Sequence, residues 1–427
     1  MKKKIKVAIV GAGNRGGIYA SYALSHPSDM EVCAVVDPNR LHREELGKAH
    51  GVKKENLFSS VAEFIAAKAE CDVAINATID GLHYEISKEL LNGGFNVLME
   101  KPITAKKEEL LDLERLAKKN GKLLAVCHVL RYSPFYRTIK EELEKGTIGK
   151  ITSIEMAEHV EVGHYLESYV VGKWKSEKEC GSSFLLAKSC HDLDVMCWLN
   201  NLTEPMKAAS FAERKIFVPE NAPEGHGERC YDCACEKDCK YSLKRFFALP
   251  YSKRIRIVND INKPLSEITD EDINEQVKNS DYGKCAYEMK DQADRQHVTI
   301  EFANGSIGSF QLVGAAPFGN RYIHIVGENG ELYGNMSDGK YLLRTYDFET
   351  FKKSERIVDA KGDNSDGHGG GDTGIMRDLI AYLRGEGASV SMTKIEDSVN
   401  GHLCVYAAEA SRKENRIVDF SEEFLRG

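Results

Sequence analysis

Short apolar runs alternate with amphipathic stretches along the first third of the chain. Residues 5–10 are β-rich and apolar without interruption, the pattern of a strand buried on both faces. Residues 31–36, 72–77, 95–99 and 122–127 also read as strands, whereas 59–68, 83–92 and 106–119 read as helices. Beyond 127 the pattern changes to longer strands and fewer helices. Residues 151–162, 298–302, 322–326 and 341–345 are strand-like and 182–199 reads as a long helix. Asn304-Gly305 marks a hairpin, in the dipeptide most prone to a type I′ turn. Residues 375–383 predict a further helix with Asp372 as its N-cap. The alternation predicts an α/β Rossmann domain, a doubly wound parallel sheet, over residues 1–127. Residues 128–427 predict an α+β domain with a large open, mostly antiparallel sheet, interrupted by a cysteine-rich insert at about 219–290.

Composition narrows the classes. With 427 residues, 42% hydrophobic and 29% charged, the chain is long enough for two ordinary globular domains. A net charge of -8 argues against nucleic acid, which needs a basic face. The apolar run behind Lys2-Lys3-Lys4 ends too soon at Gly11 for a secretory signal, and no run is long enough to span a membrane. The 12 cysteines are therefore expected as reduced thiols in the cytoplasm, with a metal site as the exception.

The first strand runs into Gly11-Ala12-Gly13-Asn14-Arg15-Gly16 and then a helix, which is G-x-G-x-x-G in the context its chemistry requires. The glycines allow a tight turn and close approach of a pyrophosphate, and the helix N-terminus faces its charge. The second strand ends at Asp37, where a carboxylate accepts hydrogen bonds from ribose hydroxyls and repels a 2′-phosphate, so NAD is favoured over NADP. Arg40 lies close enough to soften that preference. Ala77, Thr78, Glu100 and Lys101 fall at the carboxyl ends of strands on the same edge, where ligands of open α/β sheets bind. Pro102 ends the strand and restricts Lys101 at a fixed turn, where the amine can donate to or relay a proton from a substrate oxygen.

The combination of Gly11 to Gly16, Asp37, His83 and Glu100-Lys101-Pro102 resembles the glucose–fructose oxidoreductase/inositol dehydrogenase (Gfo/Idh/MocA) family. Arg131-Tyr132-Ser133-Pro134, Gly146-Thr147-Ile148-Gly149 and Cys190-His191-Asp192-Leu193-Asp194 extend the likeness over nearly the whole chain apart from the insert. The resemblance implies that His83 and Glu100 belong to the cofactor side, that Lys101 contacts the reacting hydroxyl or carbonyl beside the nicotinamide, and that Lys101-Pro102 is cis. It also implies a homodimer or homotetramer formed through one face of the second sheet. One departure stands out. The best-known inositol dehydrogenases carry an aspartate one turn before the histidine, and Ala187 occupies that position here, with Lys188 next to it.

On a helix Lys188 and His191 share a face, and imidazole suits proton transfer near neutral pH. His191 is thus the expected proton acceptor, with Lys188 lowering its pKa. Arg131, Tyr136, Trp174 and, in a glycine-rich loop, His368 are candidates for the substrate site. In the insert, Cys230, Cys233 and Cys239 with distant Cys285 are candidate zinc ligands, Cys235 being spare; free thiols or a disulfide are the alternatives. These features point to an NAD-dependent oxidoreductase of a sugar, inositol or related polyol. An NAD-dependent glycosidase acting by transient oxidation and elimination, or a sensor without turnover, is the alternative.

Overall fold

The computed structural model describes residues 2–249, 255–258, 260–362 and 367–424. Positions 250–254 and 259 of the insert lie outside the described residues. Among the described residues the strands form two sheets. The first contains β1 (Ile5–Val10), β2 (Met30–Val36), β3 (Leu57–Phe58), β4 (Val73–Asn76), β5 (Asn96–Met99) and β6 (Leu124–Val126), all parallel in the order β3-β2-β1-β4-β5-β6. Its helices are α1 (Asn14–Ser25), α2 (Arg40–Ala49), α3 (Val61–Ala66), α4 (His83–Asn92) and α5 (Lys107–Asn120). Strand order reverses between β1 and β4, which opens a crevice at their carboxyl ends.

The continuous apolar character of β1 has a direct cause. Successive side chains of a strand point to opposite faces, and both faces of this sheet are covered. Ile5, Val7 and Ile9 join a core with Tyr19, Tyr22 and Ala23, whereas Ala8 and Val10 join one with Leu90, Leu110 and Leu113. The first core is completed from far along the chain: Ile375, Met376, Leu379 and Ile380 pack into it.

The second sheet runs β14-β13-β12-β11-β7-β10-β9-β8-β15. Its strands are β7 (Ile151–Glu161), β8 (Pro205–Glu213), β9 (Arg295–Phe302), β10 (Ile307–Ala316), β11 (Asn320–Gly327), β12 (Gly330–Asn335), β13 (Lys340–Asp347), β14 (Lys352–Asp359) and β15 (Val418–Asp419). Only β7 and β10 pair in parallel. Strict alternation of buried and exposed residues along β9 shows one covered face and one open face. Helices α6 (Pro134–Glu144), α7 (Phe184–Leu199), α8 (Gly371–Leu383) and α9 (Ile395–Glu414) follow in chain order. Helix α7, wedged against the inner face of the sheet and α9, is buried at every position except Lys188.

Three expectations are corrected. The 302–306 turn is not type I′: Gly305 is left-handed (φ 81) but Asn304 is not. Phe302 N–H donates to Ser306 O (3.0 Å) and Asn304 Oδ1 accepts from Ser306 N (3.1 Å), a three-residue loop with glycine at its left-handed end. Gly370, not Asp372, is the N-cap of α8, because the Asp372 carboxylate is taken by partners across the cleft. Cys33 on β2 and Cys71 ahead of β4 form a disulfide, so the thiols are not all reduced.

Candidate active site

Strand-end hydrogen bonds align the floor of the crevice. Gly11 N–H donates to Val36 O (2.8 Å), Ala77 N–H to Val10 O (2.8 Å) and Glu100 N–H to Asn76 O (2.8 Å). Only glycine fits at positions 11 and 16. A Cβ on Gly11 (φ 93) would lie 2.6 Å from Ala77 O, and one on Gly16 would lie 2.0 Å from Gly11 O. Around Gly13, by contrast, a Cβ would meet nothing within 4 Å. Helix α1 starts there without a side-chain cap and without an acidic residue in its first turn. Its free N–H groups and positive dipole end fit a pyrophosphate. These residues fit a dinucleotide.

Asp37 ends β2 nearly buried, accepting from Ala12 N (2.7 Å) and Asn39 N (2.7 Å). It thereby ties the glycine turn to the ribose side of the crevice. Arg40 does not approach it; exposed on α2, Arg40 pairs with Glu44 (2.8 Å). Arg43, which sequence reasoning missed, donates to the Asp37 carbonyl. His83 is also placed differently from the expectation. Buried at the start of α4, its ring sits between Pro102 O (2.7 Å) and Thr78 O (3.1 Å) and braces the two strand-end turns against each other.

Glu100 is the hub. One carboxylate oxygen accepts from Arg15 Nε (2.5 Å) and Tyr19 Oη (2.6 Å), the other from Lys101 N (2.9 Å). Burial by itself would raise this carboxyl, but Arg15, Lys101 and Tyr19 outweigh it and hold it at about 2. Arg15 also reaches Asp372 (2.6 Å), whose second oxygen lies 3.1 Å from His368 Nδ1. Burial again opposes ionisation, and His368 and Arg15 hold Asp372 at about 2. The glycine turn, the Lys101 turn and the His368 loop are thus joined by one chain of charges. The bonds of Asp372 to Arg15 and of Tyr19 to Glu100 carried no usable sequence signal, because they span 357 and 81 positions.

The Lys101-Pro102 bond is cis. Lys101 Nζ donates to the carbonyl of Ala187 on α7 (2.7 Å), one turn before His191. With alanine at 187, no carboxylate among the described residues bonds His191, and its buried Nδ1 has no hydrogen-bond partner among them. Burial first, then Lys101, His128, His368 and Arg321, push His191 well below its ordinary value, so it is a neutral imidazole at pH 7. Its ring lies 6.0 Å from His368 and 5.7 Å from His128. His128 is completely buried and was not anticipated.

Lys188 does not act as the tuning cation. It faces Glu158 on β7 (3.1 Å) in a buried group with Arg321 and Asp192. The Arg321 Nε–H donates to Asp192 Oδ1 (2.7 Å), and Glu158 Oε2 pairs with the same nitrogen at 2.8 Å. Arg131 is corrected as well. It is 1% exposed and committed to Asp194 through two bonds (2.7 and 2.6 Å), out of reach of a substrate. Tyr136 is fully buried, with its hydroxyl unpartnered. Trp174 donates to Asp80 across the cleft (2.8 Å), while its ring packs against Tyr169 and beneath Lys173.

Two family descriptions match this chain. Residues 5–128 match "Oxidoreductase family, NAD-binding Rossmann fold", and residues 140–420 match "Oxidoreductase family, C-terminal alpha/beta domain". The chain belongs to the Gfo/Idh/MocA oxidoreductase family. Its N-terminal domain is the NAD-binding Rossmann fold of that oxidoreductase family. The chain is 24% identical to the oxidoreductase YteT of Bacillus subtilis over 72% of both chains. It is 27% identical to the scyllo-inositol 2-dehydrogenase (NADP(+)) IolW of the same organism, over 49% of this chain and 56% of that one. A levoglucosan dehydrogenase solved with NADH and levoglucosan shares the fold at a TM-score of 0.71 and 16% identity, over 98% of this chain and 99% of that one. Among the described residues no helix is long and apolar enough to cross a membrane.

Proposed function

We propose that the protein oxidises a hydroxyl of a sugar, inositol or related polyol with NAD, or runs the reverse reduction. One observation carries this reading: beside the dinucleotide crevice Lys101 reaches Ala187 O, one turn before His191, and acts on that neutral imidazole, whose Nδ1 has no protein partner among the described residues. Bound NAD supplies the hydride acceptor. Lys101, turning from Ala187 O to the substrate oxygen, stabilises the charge developing there, and His191 accepts the hydroxyl proton. A panel of sugars, inositols and glycosides, read for NADH formation and for aglycone release, tests the reading. NADH formation on a free sugar or polyol supports it; aglycone release without net NADH would replace it by the redox-neutral glycosidase.

Cofactor preference follows from Asp37. A carboxylate at the end of β2, tied to the glycine turn through Ala12 N, repels a 2′-phosphate, and Arg40 is engaged by Glu44. The wild-type protein is expected to show a higher kcat/KM with NAD than with NADP, and Asp37→Ala to narrow that gap by weakening NAD. Equal or better use of NADP by the wild type would contradict the role given to Asp37.

The open face of the second sheet is the surface assigned to self-association. It exposes Phe211, Ile307, Tyr322, Tyr333 and Ile357, and a trough of about 1090 Å³ runs along it, on the opposite face from His191. Sedimentation is expected to show a dimer or tetramer; a monomer at all concentrations would exclude that role.

A further inference from the structure

The cysteine-rich insert takes no part in the chemistry above, yet its fold gathers thiols from distant positions. An antiparallel bridge joins Arg229 to Lys284, and Cys285 N–H donates to Glu228 O (2.8 Å), so Cys285 comes beside Cys230. Cys239 and Cys285 share a small core with Tyr287, and Cys230, Cys239 and Cys285 are 7%, 9% and 8% exposed. Cys285 is influenced electrostatically by Cys230, Cys239 and Cys233. Cys235 Sγ donates to Glu224 O (3.1 Å), and its thiol also interacts with that of Cys233.

Backbone N–H groups are aimed at the sulfurs. Gly227 N–H donates to Cys233 Sγ (3.3 Å), those of Leu243 and Lys244 act on Cys230, and that of Tyr287 acts on Cys285. A neutral thiol is a weak acceptor, whereas a thiolate gains substantially from such donors. Outer donors of this kind orient and stabilise metal-bound ligands.

We propose that Cys230, Cys233, Cys239 and Cys285 bind one structural zinc ion, with Cys235 outside the ligand set. Cys230-x2-Cys233 has the spacing of a zinc knuckle, and four thiolates complete a closed tetrahedral site. Among the described residues no group of three or more His, Cys, Asp or Glu side chains stands where it could hold a metal ion, so the four thiols would have to draw together on binding zinc. Zinc would displace one proton from each of the four thiols to solvent as four Zn–S bonds form. Arg245, which donates to Cys239 O, and Lys244 lie near these thiols, both paired with Glu236.

The ion would hold a lobe that has only short helices of its own. That lobe touches both ends of the cleft: Ile257 N donates to Glu167 Oε1 (2.8 Å) on the segment leading to Trp174, and Asn262 accepts from Asn39 (3.2 Å) beside Asp37. Elemental analysis of the full chain, purified without added metal, is expected to give about one zinc per chain. Exchange with Co²⁺ should produce thiolate-to-cobalt charge-transfer bands and tetrahedral d–d absorption. Cys235→Ser should keep the metal, while Cys230→Ser and Cys285→Ser should lose it. A folded wild-type protein that is metal-free and takes up no Co²⁺ would overturn the proposal. So would metal retained in both Cys230→Ser and Cys285→Ser, or a disulfide within the insert. None of these readouts uses substrate or NAD, so they stand apart from the oxidoreductase reading.

Discussion

Lys101→Met is expected to lower turnover by about 10²–10⁴-fold while leaving NAD affinity unchanged. The side chain stands past the end of β5 and reaches α7 through Ala187 O, whereas the pyrophosphate and ribose positions belong to Gly11 to Gly16 and Asp37. Its charge is also the first electrostatic influence, after burial, that lowers His191. Removing that charge should raise the His191 pKa, so the acid limb of the pH–rate profile should move to higher pH. The sign follows from the role of His191. As a base it works neutral, its lowered pKa keeps it neutral below pH 6.5, and losing Lys101 brings protonation closer to pH 7. His191→Asn should lower turnover comparably and abolish that limb. Because both groups serve one step, the double variant should lose far less than the product of the single losses. Near-normal turnover in Lys101→Met would remove Lys101 from the chemistry, and loss of NAD binding would make it a cofactor ligand.

Asp194→Ala is expected to be the most destabilising of the single changes considered, by about 3–5 kcal/mol. Asp194 and Arg131 are 0% and 1% exposed and joined by two short bonds, with His128 Nε2 3.6 Å from the same carboxylate. Removing the anion leaves a guanidinium buried without its bonded counter-charge, whose remaining acceptor among the described residues is Asp397 O (2.9 Å). Replacing both partners, as Arg131→Met with Asp194→Leu, removes the stranded charge together with the pair and should recover most of the loss. Denaturant unfolding of the three variants measures this. A single variant as stable as the wild type would show that water reaches the pair and that its burial is overstated.

Where a residue's place in the fold is set by its neighbours in the chain, the sequence alone was enough. The glycine turn, the strand end at Asp37 and the charged stop at Glu100-Lys101-Pro102 each follow from local backbone geometry. Parallel strands buried on both faces must be apolar without interruption, so β1 was legible as a strand. Helix α4 was predicted with the bounds it has, His83–Asn92. The turn at Asn304-Gly305 marks the limit of such reasoning, since one dipeptide is compatible with more than one hairpin loop.

Only the tertiary structure decided where charges went. Arg131 has the composition of a substrate ligand, but α7 brings Asp194 to it and closes both away from the cleft. Lys188 lies one helical turn from His191, yet β7 presents Glu158, and the cation turns to it. Asp372, locally a helix cap, is drawn to Arg15, and Cys285 reaches the insert's thiols through a bridge that starts at Arg229. In each case the partner comes from a distant element, and a charge out of water must find a counter-charge wherever the fold supplies one. Local sequence determines which groups a segment can offer; the packing of remote segments determines which of them remain free to act on a substrate.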